Sequence, residues 1–349
     1  MPESADNKFM KRCLDLAIRA TGMTYPNPMV GSVIVHEGVI IGEGYHLKAG
    51  APHAEVNAIN SVANKLLLNK STLYVSLEPC SHSGKTPQCA DLIISNNIPR
   101  VIVGTPDTND KVSGKGISRL KAAGCDVICG ILEKDCRRIN RRFFTFHEKK
   151  RPYITLKWAQ SADGFIDVIR TGNPTAEPNW ITGRSERVLV HKWRAEEEAI
   201  LVGAGTVRAD NPRLNIRYWK GSDPIRIILS RSGDMKNYLI GNETNGTIVV
   251  ITGNSKAVFG NAKKINLKKN IPSSLQVIEY LYNTEVQSLF IEGGAEVLTH
   301  FIEYGLWDEA RIFTGMVNFN DGVKAPSIAG RVISDVSFEK SRLKVLLHE

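Results

Sequence analysis

The 349 residues suggest about two domains, since a domain averages roughly 150 residues, and such a chain can bury full cores without disulfide support. Hydrophobic residues make up 42% and charged residues 23%, with 29 Gly and 15 Pro, which excludes disordered, collagen-like and coiled-coil chains. A surplus of 45 Lys and Arg over 36 Asp and Glu gives a net charge of +9, which favours an anionic partner, either nucleic acid or small phosphorylated ligands.

The first half alternates helical and strand patterns. Apolar residues recur at helical spacing from Asp6 to Gly22, and the runs Val30–His36 and Val39–Gly44 flank a Glu37-Gly38 turn that predicts a hairpin. The later elements alternate as in a sheet covered by helices. They are the predicted strands Thr72–Leu77, Arg100–Gly104 and Asp126–Cys129, and the predicted helices His53–Ala63, Cys89–Asn96, Ile117–Ala123 and Glu133–Thr145.

A basic run predicts a domain boundary near residue 150. Seven Arg and Lys residues lie between Arg137 and Arg151, just before Pro152, and favour a solvated helix end and hinge over a ligand-binding segment. We therefore expect domains at 1–150 and 151–349, both of the α/β class. The second contains the predicted strands Tyr153–Trp158, Ala199–Val202, Arg226–Leu229, Thr247–Ile251 and Leu289–Ile291, and the predicted helices Ser185–Ala195 and Glu296–Tyr304.

The polar start of the chain and the absence of an apolar run of roughly 18 residues predict a cytoplasmic protein without a signal peptide or membrane span. Thiols stay reduced in that compartment. The six cysteines are therefore expected to be metal ligands or core thiols. The core role is expected for Cys13, Cys125, Cys129 and Cys136.

The strongest chemical signal is His53-Ala54-Glu55, followed by Pro79-Cys80 and then Cys89. One imidazole and two thiolates form a Cys2His ligand set, which leaves a fourth tetrahedral position of zinc open for catalysis. Zinc lowers the pKa of a bound water to about 7. Glu55, two residues from His53, can take that proton and return it to a leaving amine.

This order of residues is typical of zinc nucleobase deaminases, whose signature is H-x-E followed by P-C-x-x-C. Here eight residues, Ser81 to Gln88, separate the two cysteines. Two alternatives remain at this point. The first is a structural zinc site with His82 as its fourth ligand, and the second is a pair of buried thiols.

The first half resembles the bifunctional deaminase–reductases of riboflavin biosynthesis. The matching segments are Tyr25–Gly31, Gly44–His46, His53–Val56, Leu77–His82 and Gly84–Pro87. The family's first step removes an amino group from 2,5-diamino-6-(ribosylamino)pyrimidin-4-one 5′-phosphate. The resemblance implies a cytidine-deaminase-like domain in which His53, Cys80 and Cys89 hold zinc and Glu55 moves protons. It implies a substrate pocket lined by Asn27, His46, His82, Lys85, Asp107 and Asn109.

Three qualifications apply to this half. Asn27, taken by itself, is also typical of a turn residue beside Pro28. Gln88 stands where the family usually has a second proline, and Asn57 stands where histidine is common. Neither departure is expected to touch a ligand, so both leave the predicted chemistry in place.

Glycine-rich turns follow two predicted strands of the second half. Gly203–Thr206 and Gly293–Gly294 offer bare backbone that can approach a phosphate. Neither is a Rossmann fingerprint, and taken separately they are typical of strand-end turns. Together with Lys157, Ser161–Gly164 and Trp180–Gly183, however, they form an ordered set.

That set is similar to the reductase half of the same family, whose fold resembles dihydrofolate reductase. The resemblance implies that NADPH reduces the ribosyl group to a ribityl chain by hydride delivery to C1′. Lys157 and Glu292 are expected to orient or polarise the sugar carbon, with electrostatic support as the alternative for Lys157. The implied substrate residues are Arg194, Leu214, Arg217 and Glu292. The implied cofactor residues are Ala159, Trp180, Thr206, Asp210, Gly294, Ala295, Glu296, Val297, Leu298, Thr299 and His300.

Some of the second half departs from the family pattern. Residues 169–178 resemble an insertion, and Pro178 occupies the position of a substrate-contacting serine. Glu198 replaces a common aspartate, which is a mild change, and Lys256–Leu275 gives no functional signal.

Three functions compete. A bifunctional enzyme would use Zn²⁺ and NADPH on a small pyrimidine ribosyl phosphate, with no nucleic-acid or membrane partner, and we expect it to be a homo-oligomer. A nucleic-acid deaminase would use the basic surplus on phosphates, but the long intercysteine loop disfavours it. A binding protein with a structural zinc would have no need of Glu55.

Overall fold

The computed structural model describes residues 4–81, 88–108, 114–169, 179–230, 240, 247–253 and 262–349. The chain divides into two compact units, Met1–Lys150 and Arg151–Glu349. No helix among the described residues is long and apolar enough to span a membrane.

The first unit is built on a five-stranded sheet in the order β2-β1-β3-β4-β5, with apolar clusters on both faces. Strand β1 is antiparallel to β2 and β3, and β4 and β5 continue in parallel. The strands are β1 (Gly31–His36), β2 (Val39–Tyr45), β3 (Thr72–Val75), β4 (Arg100–Val103) and β5 (Asp126–Cys129). The helices are α1 (Ala5–Ala17), α2 (Ala54–Ser61), α3 (Cys89–Ser95), α4 (Lys115–Ala122), α5 (Glu133–Ile139) and α6 (Arg141–Lys149), with short 3₁₀ turns at Ile18–Ala20 and Lys65–Lys70.

The prediction of one helix over Glu133–Thr145 is wrong, because the helix breaks at Asn140. The Asn140 side chain accepts a hydrogen bond from Met29 N at 2.8 Å and donates one to Met29 O at 2.8 Å. These two bonds hold Asn140 against the first part of the chain and stop the helical ladder there.

The solvated interpretation of the basic run is only partly right. Arg142 is buried. The Arg137 guanidinium lies 4.1 Å from the centre of the Phe144 ring and also pairs with Glu148. Arg151 forms a bidentate pair with Asp308, with N–O distances of 2.6 and 2.8 Å. At least three of the seven basic side chains are therefore buried or engaged in contacts within the protein.

Two of the four expected core thiols are fully buried, Cys13 and Cys136. Cys125 is half-buried. The core prediction for Cys129 is wrong, since this thiol is exposed. Cys129 is the last residue of β5, and β5 is an edge strand with only one neighbour to cover it.

The second unit is a nine-stranded sheet in the order β11-β10-β9-β8-β12-β6-β13-β16-β15, with a two-stranded β7–β14 ribbon. Its first seven strands in that order run parallel, and β16 and β15 are antiparallel additions. The strands are β6 (Tyr153–Gln160), β7 (Phe165–Asp167), β8 (Ala199–Gly203), β9 (Ile225–Ser230), β10 (Ile248–Thr252), β11 (Lys263–Asn266), β12 (Ser288–Ile291), β13 (Glu309–Gly315), β14 (Val323–Lys324), β15 (Arg331–Ser337) and β16 (Ser341–Leu347). The described helices of at least one full turn are α7 (Arg184–Glu196), α8 (Ala204–Asp210), α9 (Ser273–Asn283) and α10 (Ala295–Glu303).

The strand order decides where a ligand can bind in the second unit. The parallel strands β8 and β12 are neighbours, and both end at glycine-containing turns that lead into α8 and α10. Ligands of open α/β sheets bind beyond the carboxyl ends of such strands. The sheet therefore brings the two glycine turns to the same edge, beside the end of β6.

Candidate active sites

The three predicted metal ligands of the first unit converge. His53 lies at the N-terminus of α2, Cys80 follows β3, and Cys89 is the first residue of α3. The His53 Nδ1 atom lies 3.6 Å from Cys80 Sγ and 3.3 Å from Cys89 Sγ, and the three ligand atoms lie within 4.8 Å of one another. Zinc bonds of about 2.1 Å to nitrogen and 2.3 Å to sulfur place tetrahedral ligands about 3.6 Å apart. The donor set therefore fits zinc.

The electrostatics of this cluster also favour a divalent cation. Contact with Cys89 and with His53 lowers the pKa of Cys80 to about 4, whereas the neighbouring Cys80 sulfur and burial raise the pKa of Cys89. The Cys89 backbone N–H donates to Cys80 Sγ at 3.4 Å. Two buried thiols this close do not both ionise unless a cation compensates the second charge.

Glu55 lies in the first turn of α2 and its carboxyl group is buried beside the ligands. Burial, together with the charge of Cys80, raises the pKa of Glu55 to about 7. A carboxyl group with a pKa near neutrality both accepts and releases protons under working conditions.

Asn27 and His46 form a polar pair next to the ligands. The His46 ring lies 5.4 Å from the His53 ring, and Asn27 Nδ2 lies 3.1 Å from His46 Nε2. His46 Nδ1 lies 3.2 Å from the Pro52 carbonyl oxygen, so Nδ1 carries the proton and Nε2 accepts from the amide. Asn27 also closes a turn through its N–H to Thr24 O, which agrees with the turn interpretation, while its substrate role stays a prediction.

The remaining substrate candidates of the first unit divide into two groups. Asp107 is buried, and its backbone N–H donates to the carboxylate of Glu78. His82, Lys85 and Asn109 lie outside the described residues.

The second unit contains a cavity of about 810 Å³ at the carboxyl edge of its sheet. The described cofactor candidates line it, with the exception of Thr299. Those that line it are Ala159, Trp180, Thr206, Asp210, Gly294, Ala295, Glu296, Val297, Leu298 and His300. The sequence-based grouping of these residues therefore coincides with one cavity.

Bare backbone forms one wall of this cavity. Gly293 has a φ of +124°, which disfavours a side chain, and Gly203 N donates to Gly293 O at 2.9 Å. A Cβ atom on Gly294 would lie 3.1 Å from Thr206 Oγ1, and one on Gly203 would lie 2.9 Å from Val297 Cγ2. Both turns lead into helix N-termini, which suit the phosphates of a dinucleotide. The cavity thus fits NADPH.

A buried charge cluster lies at one end of the cavity. Glu292 forms a bidentate pair with Arg194, at 2.5 Å to Nε and 2.9 Å to Nη2, and lies 3.6 Å from Lys157 Nζ. Burial raises the pKa of Glu292, but Arg194 and Lys157 outweigh it and lower the pKa to about 2. Burial lowers the pKa of Lys157, although Glu292 opposes that shift.

This cluster bears on the expected role of Arg194. The Arg194 guanidinium donates to Glu292 and to the Asn215 carbonyl oxygen, so its Nε, Nη1 and Nη2 atoms all have hydrogen-bond partners within the protein. A bidentate contact of Arg194 with the substrate phosphate would require this pairing to change. Its substrate role stays a prediction.

Sequence analysis assigned no role to His191, which contacts Arg217, one of the other two substrate candidates. Leu214 is buried with a φ of +57°, while Arg217 is exposed. The Arg217 backbone N–H donates to His191 Nδ1 at 3.0 Å. Burial, with the charges of Arg194 and Arg217, lowers the pKa of His191 to about 4, so the imidazole is a neutral acceptor. Its position three residues before Arg194 on α7 was the available signal.

The two units match two different family models. Residues 3–105 match the cytidine and deoxycytidylate deaminase zinc-binding region, and residues 152–317 match the RibD C-terminal domain. The riboflavin biosynthesis protein RibD of Aquifex aeolicus is 38% identical over 340 residues, covering 96% of this chain and 94% of its own length. The chain belongs to the RibD family.

Further comparisons agree with this RibD assignment. RibD of Escherichia coli is 34% identical, covering 88% of this chain and 87% of its own. A crystal structure from Thermotoga maritima, a diaminohydroxyphosphoribosylaminopyrimidine deaminase/5-amino-6-(5-phosphoribosylamino)uracil reductase, superimposes with a TM-score of 0.89 at 35% identity, and the match covers 99% of both chains.

RibD membership confirms the fold-class prediction of an N-terminal deaminase-like domain and a C-terminal reductase domain. It also confirms the predicted bifunctional deaminase and reductase activity, with Zn²⁺ and NADPH as cofactors. RibD enzymes act on small pyrimidine substrates, which disfavours the nucleic-acid deaminase and the binding-protein hypotheses.

Proposed function

We propose that this chain catalyses two consecutive steps of riboflavin biosynthesis. The first hydrolyses an amino group from 2,5-diamino-6-(ribosylamino)pyrimidin-4-one 5′-phosphate. The second reduces the ribosyl group to ribityl with NADPH and gives 5-amino-6-(5-phosphoribitylamino)uracil. The observation that carries the proposal is the coexistence of a Cys2His cluster beside a buried glutamate in one unit and a glycine-walled cavity ending at Lys157 and Glu292 in the other.

In the deamination step, His53, Cys80 and Cys89 would hold zinc, which supplies hydroxide at neutral pH. Glu55 takes a proton from the attacking water and passes it to the leaving amine, as its raised pKa allows. Asn27 and His46 present polar groups that suit the pyrimidine ring, and we assign Asp107 to the same pocket.

In the reduction step, the cavity would hold NADPH, which supplies the hydride. Lys157 lines the same cavity, and its ammonium group would stabilise the negative charge that develops on the ring oxygen as the C1′–O bond breaks; that oxygen then takes a proton from solvent and becomes a ribityl hydroxyl. Glu292 orients Lys157 and, with Arg194, keeps the cluster at a fixed charge. The domains of the proposal are 1–150 for deamination and 151–349 for reduction.

Product analysis tests this proposal directly. The purified protein is incubated with the pyrimidine substrate, with and without NADPH, and the products are identified by mass. We expect the deaminated ribosyl compound and ammonia without NADPH, and the ribityl compound with it. Deamination of a tRNA substrate instead of the pyrimidine would contradict the proposal.

We also infer that the chain is a homo-oligomer. Strand β15 is the edge of the large sheet, and Val332, Ile333 and Val336 on it are 47–50% exposed. An exposed apolar edge strand favours pairing with another chain. We expect sedimentation at a multiple of the 38.6 kDa chain mass, with a shift toward that mass in Ile333→Lys. Wild-type protein that sediments as a monomer would contradict the inference.

The cytoplasmic location stays a prediction. None of the six cysteines forms a disulfide, which suits a reducing compartment.

A further inference from the structure

Glu78 is a buried carboxylate that the proposed chemistry does not use. Its Oε1 atom accepts from the backbone N–H groups of Gly116 at 2.9 Å and Ile117 at 3.1 Å, and its Oε2 atom accepts from those of Gly114 at 3.0 Å and Asp107 at 3.1 Å. All four donors are backbone amides. A carboxylate with this many charge-assisted hydrogen bonds is held in one position.

Two of the four donors belong to the first turn of α4. Gly116 and Ile117 are the second and third residues of that helix, whose first N–H groups have no partner within the helix itself. Glu78 therefore caps α4 from a distant segment, where its negative charge also meets the positive end of the helix dipole. The same carboxylate joins this turn to Asp107.

The backbone of α4 also lies close to the segment that contains Glu78. A Cβ atom on Gly116 would lie 1.9 Å from the carbonyl oxygen of Pro79, so only glycine allows α4 to approach this closely. Glu78 N also donates to Thr105 O at 3.0 Å. The segment that leads to Cys80 is thus packed directly against α4 and against the residues that precede Asp107.

We propose that Glu78 is a positioning residue of the deaminase site, which holds Asp107 in register with the segment carrying the metal ligand Cys80. It sets the affinity for the pyrimidine through Asp107 and does not touch the substrate itself. This inference rests on the proposed function of the zinc cluster and of Asp107.

Glutamine cannot replace Glu78 in this role. A carboxylate offers two acceptor oxygens, whereas the glutamine amide offers one oxygen and one NH₂ group, which would face two N–H donors. Two buried backbone donors would lose their acceptor, and each such loss is costly. Aspartate keeps both oxygens and the charge but is one methylene shorter.

The test compares deamination kinetics in Glu78→Gln, Glu78→Asp and the exposed control Glu37→Gln. In Glu78→Gln we expect KM for the pyrimidine to rise about tenfold with kcat within about twofold, because Asp107 is no longer held in its binding position once its N–H and its neighbours' N–H groups lack acceptors. Zinc content and the rate of NADPH oxidation with the deaminated substrate stay at the wild-type level. Glu78→Asp recovers part of the affinity, and Glu37→Gln matches the wild type.

A double-mutant cycle decides whether Glu78 acts through Asp107. We expect KM in Glu78→Gln/Asp107→Asn to be no higher than in Asp107→Asn, since coupled residues are not additive. Independent, multiplying effects would overturn the proposal. So would loss of zinc in Glu78→Gln, which would make Glu78 a support of the metal ligands instead.

The experiment also covers a Glu78→Gln variant that does not fold and a wild-type protein that has no deaminase activity. If Glu78→Gln does not fold, Gly116→Ala displaces the same turn of α4, and an unchanged KM there overturns the proposal. A wild-type protein that releases no ammonia overturns the proposed function. A wild-type protein that does release it, with an unchanged KM in Glu78→Gln, overturns only the role of Glu78.

Discussion

Replacing Glu55 by glutamine is expected to abolish ammonia release while zinc binding is retained. The Glu55 carboxyl group is buried beside the three ligands, and burial raises its pKa to about 7. Glutamine has nearly the same volume but cannot move a proton. Since a positioned acid–base group contributes about 10²–10⁴-fold to a rate, the deamination rate should fall by that factor.

The two units provide an internal control for this experiment. NADPH oxidation with the deaminated substrate should be unchanged in Glu55→Gln, because all groups assigned to reduction lie beyond residue 150. Glu37→Gln, in the exposed β1–β2 turn, serves as the matched control, and zinc is measured by atomic emission. Cys80→Ser should lose zinc and deamination together. Unchanged zinc with unchanged ammonia release in Glu55→Gln would refute the proton-transfer role.

The zinc cluster was predictable because residue type and order already define its chemistry. Histidine and cysteine are among the few residue types that bind zinc. His53, Cys80 and Cys89 also lie near the ends of helices or strands that the hydrophobic periodicity predicts. The two glycine turns of the second unit were found for a similar reason. Glycine after a buried strand indicates a tight turn or a close approach of the backbone, whatever residues lie near it in the folded protein.

Interactions between distant segments were not predictable in this way. Arg194 and Glu292 are 98 residues apart, and nothing in either local pattern shows that the guanidinium is engaged by that carboxylate. Asn140 and Met29 are 111 residues apart, and their hydrogen bonds break a helix that has good periodicity. Such pairings depend on the tertiary fold, which overrides local propensity.

Some helices and strands were not predicted from the sequence because their burial is atypical. Strand β15 is exposed along nearly its whole length, so it shows no alternation of apolar and polar residues. Helix α9 begins in a segment rich in Lys and Asn, and its buried residues Val277 and Leu281 lie beyond that segment. The sequence analysis therefore missed the edge of the large sheet. It also missed the buried strand β13, although it predicted the parallel strands β6, β8, β9, β10 and β12.

Replacing Lys157 by methionine is expected to abolish reduction without unfolding the second unit. Lys157 lines the cavity and lies 3.6 Å from Glu292 Oε2. Methionine retains much of the side-chain length but has no charge to stabilise the reacting sugar. Loss of one such group costs about 10²–10³-fold in rate, so NADPH oxidation with the deaminated substrate should fall by that factor. Ammonia release should stay at the wild-type rate.

Stability separates this catalytic role from plain electrostatic support. In Lys157→Met the bidentate Arg194–Glu292 pair remains intact, so the free energy of unfolding should stay near the wild-type value. In Glu292→Gln two buried cations lose their counter-charge, which costs about 3–5 kcal/mol. All five tryptophans lie in the second unit, so their fluorescence during denaturant unfolding reports on that unit.

The control for Lys157→Met is Lys192→Met, on the half-exposed side of α7, where the ammonium group lies 3.9 Å from Glu196 and 5.6 Å from the centre of the Trp219 ring. It should change neither activity. If Lys157→Met were to oxidise NADPH at the control rate, the positive charge beside Glu292 would have no part in the chemistry. The hydride step would then depend on cofactor placement by the glycine turns, and Lys157 would serve only to balance Glu292.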